Sequence, residues 1–419
     1  MNLLRSNLTF ALLLIPVACT DDAEPDDGGG TSAATGDSDG DGGTGGGPGA
    51  TSAVDDGTAA ATGDSGDGSD GSGSTGEAAT GIPVLGNGSH SLDNVIVEVV
   101  GSAADALSRP TDCEFHPAVP GEMWVTNMNT SSMTIFSAMG TASQTSVNHF
   151  DPASSPHFLA RPSALAFGTG GMMATAQMEN EVTQPSTPWD FMGPTLWTSD
   201  SAIFDGGHLT HTDMLHNSPN GAGIAWEADN VYWYYDGEHR AISRYDFQQD
   251  HGLAGTDHTD GRIYRTLDGE MGFAPLVAAH LALDHTTSIL YAADPALGRI
   301  VAIDTQTGEL GEAISPNYDA ADQFMVLGVQ MDQLITGEDV TEAPMLQPSG
   351  LELFDDILFV SDHATGVLYG FSKEGELLDW LPTAQGPDSI MGMCFDTDGT
   401  LYVVDATADA ILHISPSGA

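Results

Sequence analysis

Histidine and aspartate side chains are concentrated in one part of the chain. Eight of its fourteen histidines lie between His208 and His285. The segment HLTHTDMLH (208–216) holds three histidines and one aspartate, and DHGLAGTDHTDG (250–261) holds two histidines and three aspartates. Imidazole nitrogens bind zinc and copper, and carboxylates complete such sites or bind calcium. We therefore predict a site for a divalent metal (zinc, copper or calcium) with these candidate ligands: His208, His211, Asp213, His216, His258 and His280.

A second interpretation of the same residues requires no metal. Neither spacing matches a specific zinc signature, and aspartates in turns commonly hydrogen-bond their own backbone. The sequence also lacks a nucleophile elbow, a phosphate loop or a dinucleotide fingerprint in the strand–turn–helix context that each requires. No catalytic residue is assigned on these grounds, and both a binding function and a catalytic function stay open.

The elements that must position these residues are short strands in a repeated pattern. The copies have an apolar strand, a turn rich in Asp or Gly, and a second strand that ends in Asp or Asn, except that the second copy (MMATAQMEN) lacks the closing Asp. Six copies follow one another, of which QPSGLELFDDILFVSDHATGVLYGF and SIMGMCFDTDGTLYVVDATADAILHI are the clearest. The strands are rich in β-branched and aromatic residues, and no long segment has helical periodicity. The pattern predicts an all-β fold of six repeated units.

Six copies of three or four strands each predict a six-bladed β-propeller. The copies resemble the NHL family over about residues 108–417, most clearly at PSGLELFDDILFVSDHATGVLYGF and GTLYVVDATADAILHI. The apolar segment VIVEVV (95–100) precedes the first copy, while the last copy ends with the chain. We therefore expect this N-terminal strand to complete the outer edge of the last blade, which would protect that edge from aggregation.

One position recurs at the entrance to each innermost strand, and it predicts a second site. His280 occupies it in AHLALD, and Thr111, Ser163, Ala222, Ser349 and Met391 occupy it in the other copies. We expect these residues around the mouth of the central channel, with His157 pointing at the same channel. The segment AHLALDHTTSILYAADPALGRIVAID resembles a blade of the peptidylglycine amidating lyases, whose channel zinc is held by three histidines. That resemblance implies a metal-dependent lyase or hydrolase as an alternative, but only His280 carries over from the family's inner-strand histidines.

The third copy is the richest in aromatic residues. Its seven members are Trp226, Tyr232, Trp233, Tyr234, Tyr235, Tyr245 and Phe247. Since alternate residues of a strand face opposite sides, we predict that most of them pack between blades and a minority line a ligand surface.

Cys113 and Cys394 fall on the innermost strands of the first and last blades, one residue apart in the aligned copies. Their side chains should then face opposite ways, which predicts two buried free thiols rather than a disulfide.

The first ninety residues differ in composition from the rest. Residues 1–19 read as a signal peptide with an apolar LLLI core, and PVAC (16–19) resembles a bacterial lipobox with Cys19 as the lipidated residue. Residues 20–90 contain no aromatic residue, Lys or Arg and are rich in Gly, Ser, Thr and Asp, which predicts a disordered linker. The propeller is assigned to residues 91–419. We expect a bacterial cell-envelope protein anchored by lipid to the outer membrane or cell surface, or otherwise a secreted one.

The charge of the chain limits its partners. Nine Lys and Arg face sixty Asp and Glu, for a formal net charge of −51. A nucleic-acid partner is excluded because binding to phosphates needs basic side chains. The expected function is therefore a binding module for a protein, a glycan or a small molecule on a membrane-anchored stalk.

Overall fold

The computed structural model describes residues 81–150, 156–180 and 192–418. The predicted signal peptide, Cys19 and the linker up to residue 80 lie outside these residues. The described part is the predicted all-β, NHL-like six-bladed propeller, with four short 3₁₀ helices at Pro83–Leu85, Leu92–Asn94, Ala103–Asp105 and Pro156–Leu159. Among the helices of the described residues, none has the length and apolar character needed to cross a membrane.

The chain enters the propeller through its last blade. Strand β1 (Val95–Gly101) pairs antiparallel with the C-terminal strand of the chain, Ala410–Pro416, so that Val97 lies opposite Ile414. This confirms the predicted closure by an N-terminal strand. Residues 81–90, the last ten of the predicted linker, lie against blade 5: the backbone N–H groups of Ile82 and Gly88 donate to Asp379 at 2.8 and 2.9 Å.

Blades 1, 2, 4, 5 and 6 each have four antiparallel strands. Blade 1 consists of β2 (Pro110–Phe115), β3 (Met123–Asn127), β4 (Ser132–Ser137) and β5 (Thr145–Phe150). Blade 2 consists of β6 (Pro162–Phe167), β7 (Met172–Gln177), β8 (Thr195–Thr198) and β9 (His211–Met214).

Blades 3 and 4 follow in the chain and share an unexpected hairpin. Blade 3 consists of β10 (Gly221–Ala228), β11 (Val231–Asp236), β12 (Ala241–Asp246) and β13 (Arg262–Thr266). Blade 4 consists of β14 (Leu281–Asp284), β15 (Ile289–Asp294), β16 (Arg299–Asp304) and, after the hairpin β17 (Glu309–Ala313) and β18 (Asp322–Leu327), the outer strand β19 (Gln330–Thr336). β18 pairs in parallel with β13, so the hairpin extends the sheet of blade 3 to six strands.

The last two blades complete the ring. Blade 5 consists of β20 (Pro348–Phe354), β21 (Ile357–Asp362), β22 (Val367–Ser372) and β23 (Leu377–Pro382). Blade 6 consists of β24 (Ile390–Phe395), β25 (Leu401–Asp405), β26 (Ala410–Pro416) and β1. The innermost strand of each blade contacts that of the next, and β24 contacts β2, so the six inner strands surround a central axis.

The aspartate that ends the second strand of several blades has a local structural function. Asp405 accepts the N–H groups of Thr407 and Ala408 at 3.0 and 2.8 Å, and Asp362 accepts that of Ala364 at 2.9 Å. These buried carboxylates hold the turn into the third strand, as aspartate does in many tight turns. In blade 2 the equivalent residue is Gln177, whose amide donates to the carbonyl oxygen of Phe158 at 2.8 Å.

The prediction of two free thiols is wrong. Cys113 on β2 and Cys394 on β24 form a disulfide, with their Cα atoms 5.9 Å apart. The two side chains do lie on opposite faces of their own blades. Cys113 pairs with Val125, and the equivalent pair in blade 6 is Met393 with Val403, so Cys394, which pairs with Tyr402, is one residue further along its strand. One face of each blade, however, packs against the opposite face of the next blade. Residues one position apart in the aligned copies can therefore meet between two neighbouring blades.

The aromatic residues of blade 3 mostly fill the core, as predicted. Tyr232, Tyr234 and Tyr245 are fully buried and pack with alanines of blade 2, including Ala164 and Ala174. Trp226 is the partly exposed member of the group and lines the cavity described below. The large side chains of blade 3 thus meet small ones of blade 2, which lets the two sheets pack closely.

Candidate functional site

A cavity of about 430 Å³ lies at the C-terminal ends of the inner strands. Five blades contribute to its wall, among them Glu114 of blade 1, Phe167 of blade 2, Trp226 of blade 3, Leu283 of blade 4 and Glu352 of blade 5. A cavity shared by so many blades lies on the propeller axis. Its wall combines aromatic and aliphatic side chains with a few polar groups, as small-molecule sites commonly do.

Two carboxyl groups dominate the polar part of this cavity. Glu114 and Glu352 hold equivalent positions on β2 and β20 and open onto the cavity, where they are partly exposed. Burial by the surrounding blades raises the pKa of Glu352 to about 8. Burial, together with the charges of Glu352 and Asp112, raises the pKa of Glu114 well above its usual range. Since no Lys or Arg is among the described residues of the wall, neither carboxylate has a basic partner there.

Further along the channel, Asp112 of blade 1 meets His280 of blade 4. His280 Nδ1 lies 3.4 Å from Asp112 Oδ1, and both side chains are buried. Burial lowers the pKa of His280 to about 4 and raises that of Asp112 well above its usual range, so burial disfavours the charged form of both side chains. Asp112 Oδ2 accepts the N–H of Leu165 at 2.9 Å, which ties blade 1 to blade 2.

A glycine of blade 6 makes room for this pair. A Cβ atom at Gly392 would lie 2.7 Å from Asp112 Cα and 2.7 Å from His280 Cε1. These distances are shorter than real Cβ contacts, so a side chain at this position would displace one of the two residues. Three blades therefore meet at one point on the axis.

The other predicted channel residues lie at the N-terminal ends of the inner strands, away from the cavity. Thr111, Ser163, Ser349 and Met391 are fully buried. The hydroxyl groups of the first three link successive blades. Thr111 Oγ1 donates to the carbonyl oxygen of Pro162 at 2.9 Å and Ser163 Oγ to that of Gly221 at 2.7 Å. In this structure these positions hold the ring together.

The predicted metal ligands separate into distinct places. His280 lies on the axis, whereas His208, His211, Asp213, His216 and His258 lie between blades 2 and 3. His208 is exposed, and the two ring nitrogens of His211 face the carbonyl oxygens of His208 and Gly255. The His157 and His216 rings are stacked with centroids 5.7 Å apart, and burial lowers the pKa of His157 to about 3.

Two histidine–aspartate pairs are central to this second region. His216 Nδ1 contacts Asp319 Oδ1 at 2.7 Å, and His258 Nδ1 contacts Asp213 Oδ1 at 2.6 Å. Burial lowers the pKa of His258, but the hydrogen bond and negative charge of Asp213 outweigh it and raise that pKa. Asp319 lies in the β17–β18 hairpin, so its approach to His216 follows from the pairing that extends blade 3.

Sequence reasoning missed the two carboxyl groups of the axial cavity. Acidic residues are so frequent in this chain that no pair of them stands out by type. The available signal is position: Glu114 and Glu352 interrupt apolar inner strands at equivalent places in copies 1 and 5. His251 and Asp260, which the structure brings to Asp213, also lie outside the predicted ligand set.

Comparisons with known proteins agree with this architecture. No protein-family model and no curated protein matches the chain. Among solved structures, it is similar to an auxiliary nutrient binding protein from Bacteroides ovatus, at 12% identity and a TM-score of 0.50, over 77% of each chain. It is also similar to an auxiliary nutrient binding protein from Bacteroides thetaiotaomicron, at 10% identity and a TM-score of 0.51, over 77% of this chain and 76% of that one. Virginiamycin B lyase from Staphylococcus aureus matches at 12% identity and a TM-score of 0.45, over 77% of this chain and 99% of that one.

These similarities concern the fold. The fold is that of an NHL-like six-bladed propeller. At identities of 10–12% they do not show which side chains bind a ligand.

Proposed function

We propose that the protein is a binding module whose axial cavity takes a small organic cation, such as an amine or a guanidinium compound. The observation that carries the proposal is the pairing of Glu114 and Glu352 in a cavity whose described wall contains no Lys or Arg. Two carboxyl groups held near each other and away from bulk water resist ionisation. A cationic ligand relieves that repulsion and supplies the missing partner for both.

The rest of the wall suits such a ligand. Trp226 is partly exposed and lies beside His285, with ring centroids 5.2 Å apart, and its indole N–H donates to the carbonyl oxygen of Asp229 at 3.0 Å. This contact fixes the indole ring at the cavity. A tryptophan face attracts organic cations, and the gain is about 0.5–2 kcal/mol depending on how far water is excluded.

The size of the cavity favours a small molecule over a protein or a glycan chain. Its volume of about 430 Å³ lies within the usual range of small-ligand pockets, roughly 300–1,000 Å³. Two structural neighbours are named auxiliary nutrient binding proteins, and a binding role for this propeller is in line with those names. Propellers host both binding proteins and enzymes, so the cavity and not the fold supports the choice.

The proposal includes export and attachment to a membrane through Cys19, in the cell envelope of a bacterium. The signal-like residues 1–19 and the linker-like composition that follows support it. The Cys113–Cys394 disulfide adds independent support, since disulfides persist mainly in oxidising compartments outside the cytosol.

A thermal-shift screen tests the proposed ligand class. Small organic cations and neutral or anionic compounds of similar size are compared on the full chain and on the Glu352→Gln variant. At a concentration one hundred times its Kd, a ligand stabilises the folded state by about 2.7 kcal/mol. We expect stabilisation by cations only, and loss of the effect in the variant. An exposed acidic residue elsewhere, changed as Glu312→Gln, is the matched control and should keep the effect.

A further inference from the structure

A second group of polar side chains lies off the axis, between blades 2 and 3. Asp213 lies on the outer strand of blade 2 (β9), whereas His251 and Asp260 belong to the loop between β12 and β13 of blade 3. One ligand atom from each of these three residues lies within 4.8 Å of the other two. The two segments are about forty residues apart in sequence, so the fold creates this arrangement.

The carboxylate of Asp213 has one oxygen that needs a partner. Its side chain is fully buried, and Oδ1 accepts hydrogen bonds from His258 Nδ1 at 2.6 Å and from the Met214 N–H at 2.7 Å. Oδ2 is buried and has no hydrogen-bond partner among the described residues. A buried carboxylate oxygen without a hydrogen-bond partner destabilises the folded state, and a bound cation would supply the missing partner.

The other two residues supply the open side of the group. His251 Nε2 lies 2.8 Å from Asp260 Oδ1, and their side chains are 18% and 33% exposed. An ion from solvent can therefore reach the group past these two side chains. Asp213 forms its buried floor.

Backbone contacts hold the β12–β13 loop in place against blade 2. The Ala254 N–H donates to the His211 carbonyl oxygen at 2.8 Å, and His211 Nε2 lies 3.0 Å from the Gly255 carbonyl oxygen. At the end of the loop, the Asp322 N–H of the hairpin donates to the Gly261 carbonyl oxygen at 3.0 Å. The backbone of the loop that carries His251 and Asp260 is thus held against blade 2 before any ion binds.

We propose that Asp213, His251 and Asp260 bind one divalent transition-metal ion, which joins blade 2 to blade 3. One imidazole nitrogen and two carboxylates suit zinc or manganese, whereas calcium is bound by oxygen ligands alone. His258 is a positioning residue: it holds the ligating carboxylate through its other oxygen, an arrangement usual around metal ligands. The site is separate from the axial cavity and does not depend on the proposed function.

Zinc titration of the full chain, freed of metal with a chelator, tests this site. Isothermal titration calorimetry with Zn²⁺ alone should show one ion per chain, and Ca²⁺ should bind far more weakly. The variant His251→Gln should weaken zinc binding by about 100-fold or more. Loss of a residue that only positions a ligand costs up to about 100-fold, and His251 is a ligand itself. His258→Gln should weaken it by about 10–100-fold.

The matched control is His239→Gln. His239 also forms a pair with an aspartate, since its Nδ1 lies 2.8 Å from Asp236 Oδ2, but it lies outside the metal-binding group. It should leave the zinc affinity unchanged. The proposal is overturned if the chain binds no stoichiometric zinc, if calcium binds as tightly, or if His251→Gln and His239→Gln have equal effects. Circular dichroism confirms that each variant is folded, and Asp260→Asn, at a more exposed position, replaces His251→Gln if that variant does not fold.

Discussion

Cys113 of β2 and Cys394 of β24 are joined by a disulfide across the junction between blade 1 and blade 6, although 281 residues separate them in sequence. Both side chains are buried in the cluster that contains Met123, Val404 and Ile411. The junction is where the ring closes, since β1 also completes blade 6 there. A covalent bond and a strand pairing therefore secure the same part of the propeller.

Loss of this disulfide should destabilise the protein. The bond restricts the unfolded chain over a very long loop, and removal of such a bond typically costs about 2–5 kcal/mol. We expect the Cys113→Ala/Cys394→Ala variant to unfold at a lower denaturant concentration than the wild type. Reducing agent should lower the stability of the wild type and leave that of the variant unchanged. Equal sensitivity of the two proteins to the reducing agent would contradict the assignment.

Gly392 should not tolerate a side chain. In Gly392→Ala the new Cβ would lie 2.7 Å from Asp112 Cα and from His280 Cε1, so the contact between blades 1 and 4 must open. We expect a loss of about 1–3 kcal/mol in the free energy of unfolding, as is usual for overpacking. Chemical denaturation measures it. Gly386→Ala is the control, since a Cβ there meets nothing within 4 Å and stability should stay near that of the wild type.

The raised pKa of Glu352 predicts a specific pH dependence of stability. The folded protein holds a proton, with a pKa of about 8, that the unfolded chain releases near pH 4.5. The contribution of this proton to the free energy of unfolding is therefore complete below pH 4.5 and is lost as the pH rises through 8. Glu352→Gln removes this titration. The difference in stability between variant and wild type should grow over this range, by at most about 1.4 kcal/mol per pH unit.

Comparing the two proteins separates Glu352, together with the Glu114 carboxyl whose pKa its charge raises, from the other groups that titrate. His157 and His280 have lowered pKa values and act in the opposite direction below pH 6.5. Glu312→Gln, at an exposed position, should show the same pH profile as the wild type. A constant difference between Glu352→Gln and wild type from pH 5 to 9 would mean that Glu352 ionises normally.

Much of the fold could be predicted because each blade repeats a local pattern. Apolar inner strands, turns with Asp or Gly and a closing Asp are visible in single copies, and the surplus strand 95–100 marks the closure. The β17–β18 hairpin could not be predicted in the same way. Its pairing with β13 is parallel and long-range, and in sequence the segment reads as the continuation of the fourth copy.

The candidate sites were harder to predict because they depend on which faces meet. Within their own blades Cys113 and Cys394 face opposite ways, as predicted, but the sequence does not show which faces of neighbouring blades meet. His280 was placed at the channel, but its partner Asp112 comes from the opposite side of the ring. For the off-axis group, the two histidine-rich segments were recognised. Only the fold selects Asp213, His251 and Asp260 from the many candidates that those segments contain.

The most direct test of the axial cavity is the affinity of an organic cation from the screen, measured by isothermal titration calorimetry at pH 8 and pH 6. The cation should bind one per chain and more tightly at pH 8, where more of Glu352 is ionised. Glu352→Gln should weaken binding about tenfold or more, since a hydrogen bond to a charged group contributes roughly 1.5–3 kcal/mol. An affinity that Glu352→Gln leaves unchanged, or the absence of binding by any organic cation, would contradict the assignment of the cavity as the binding site.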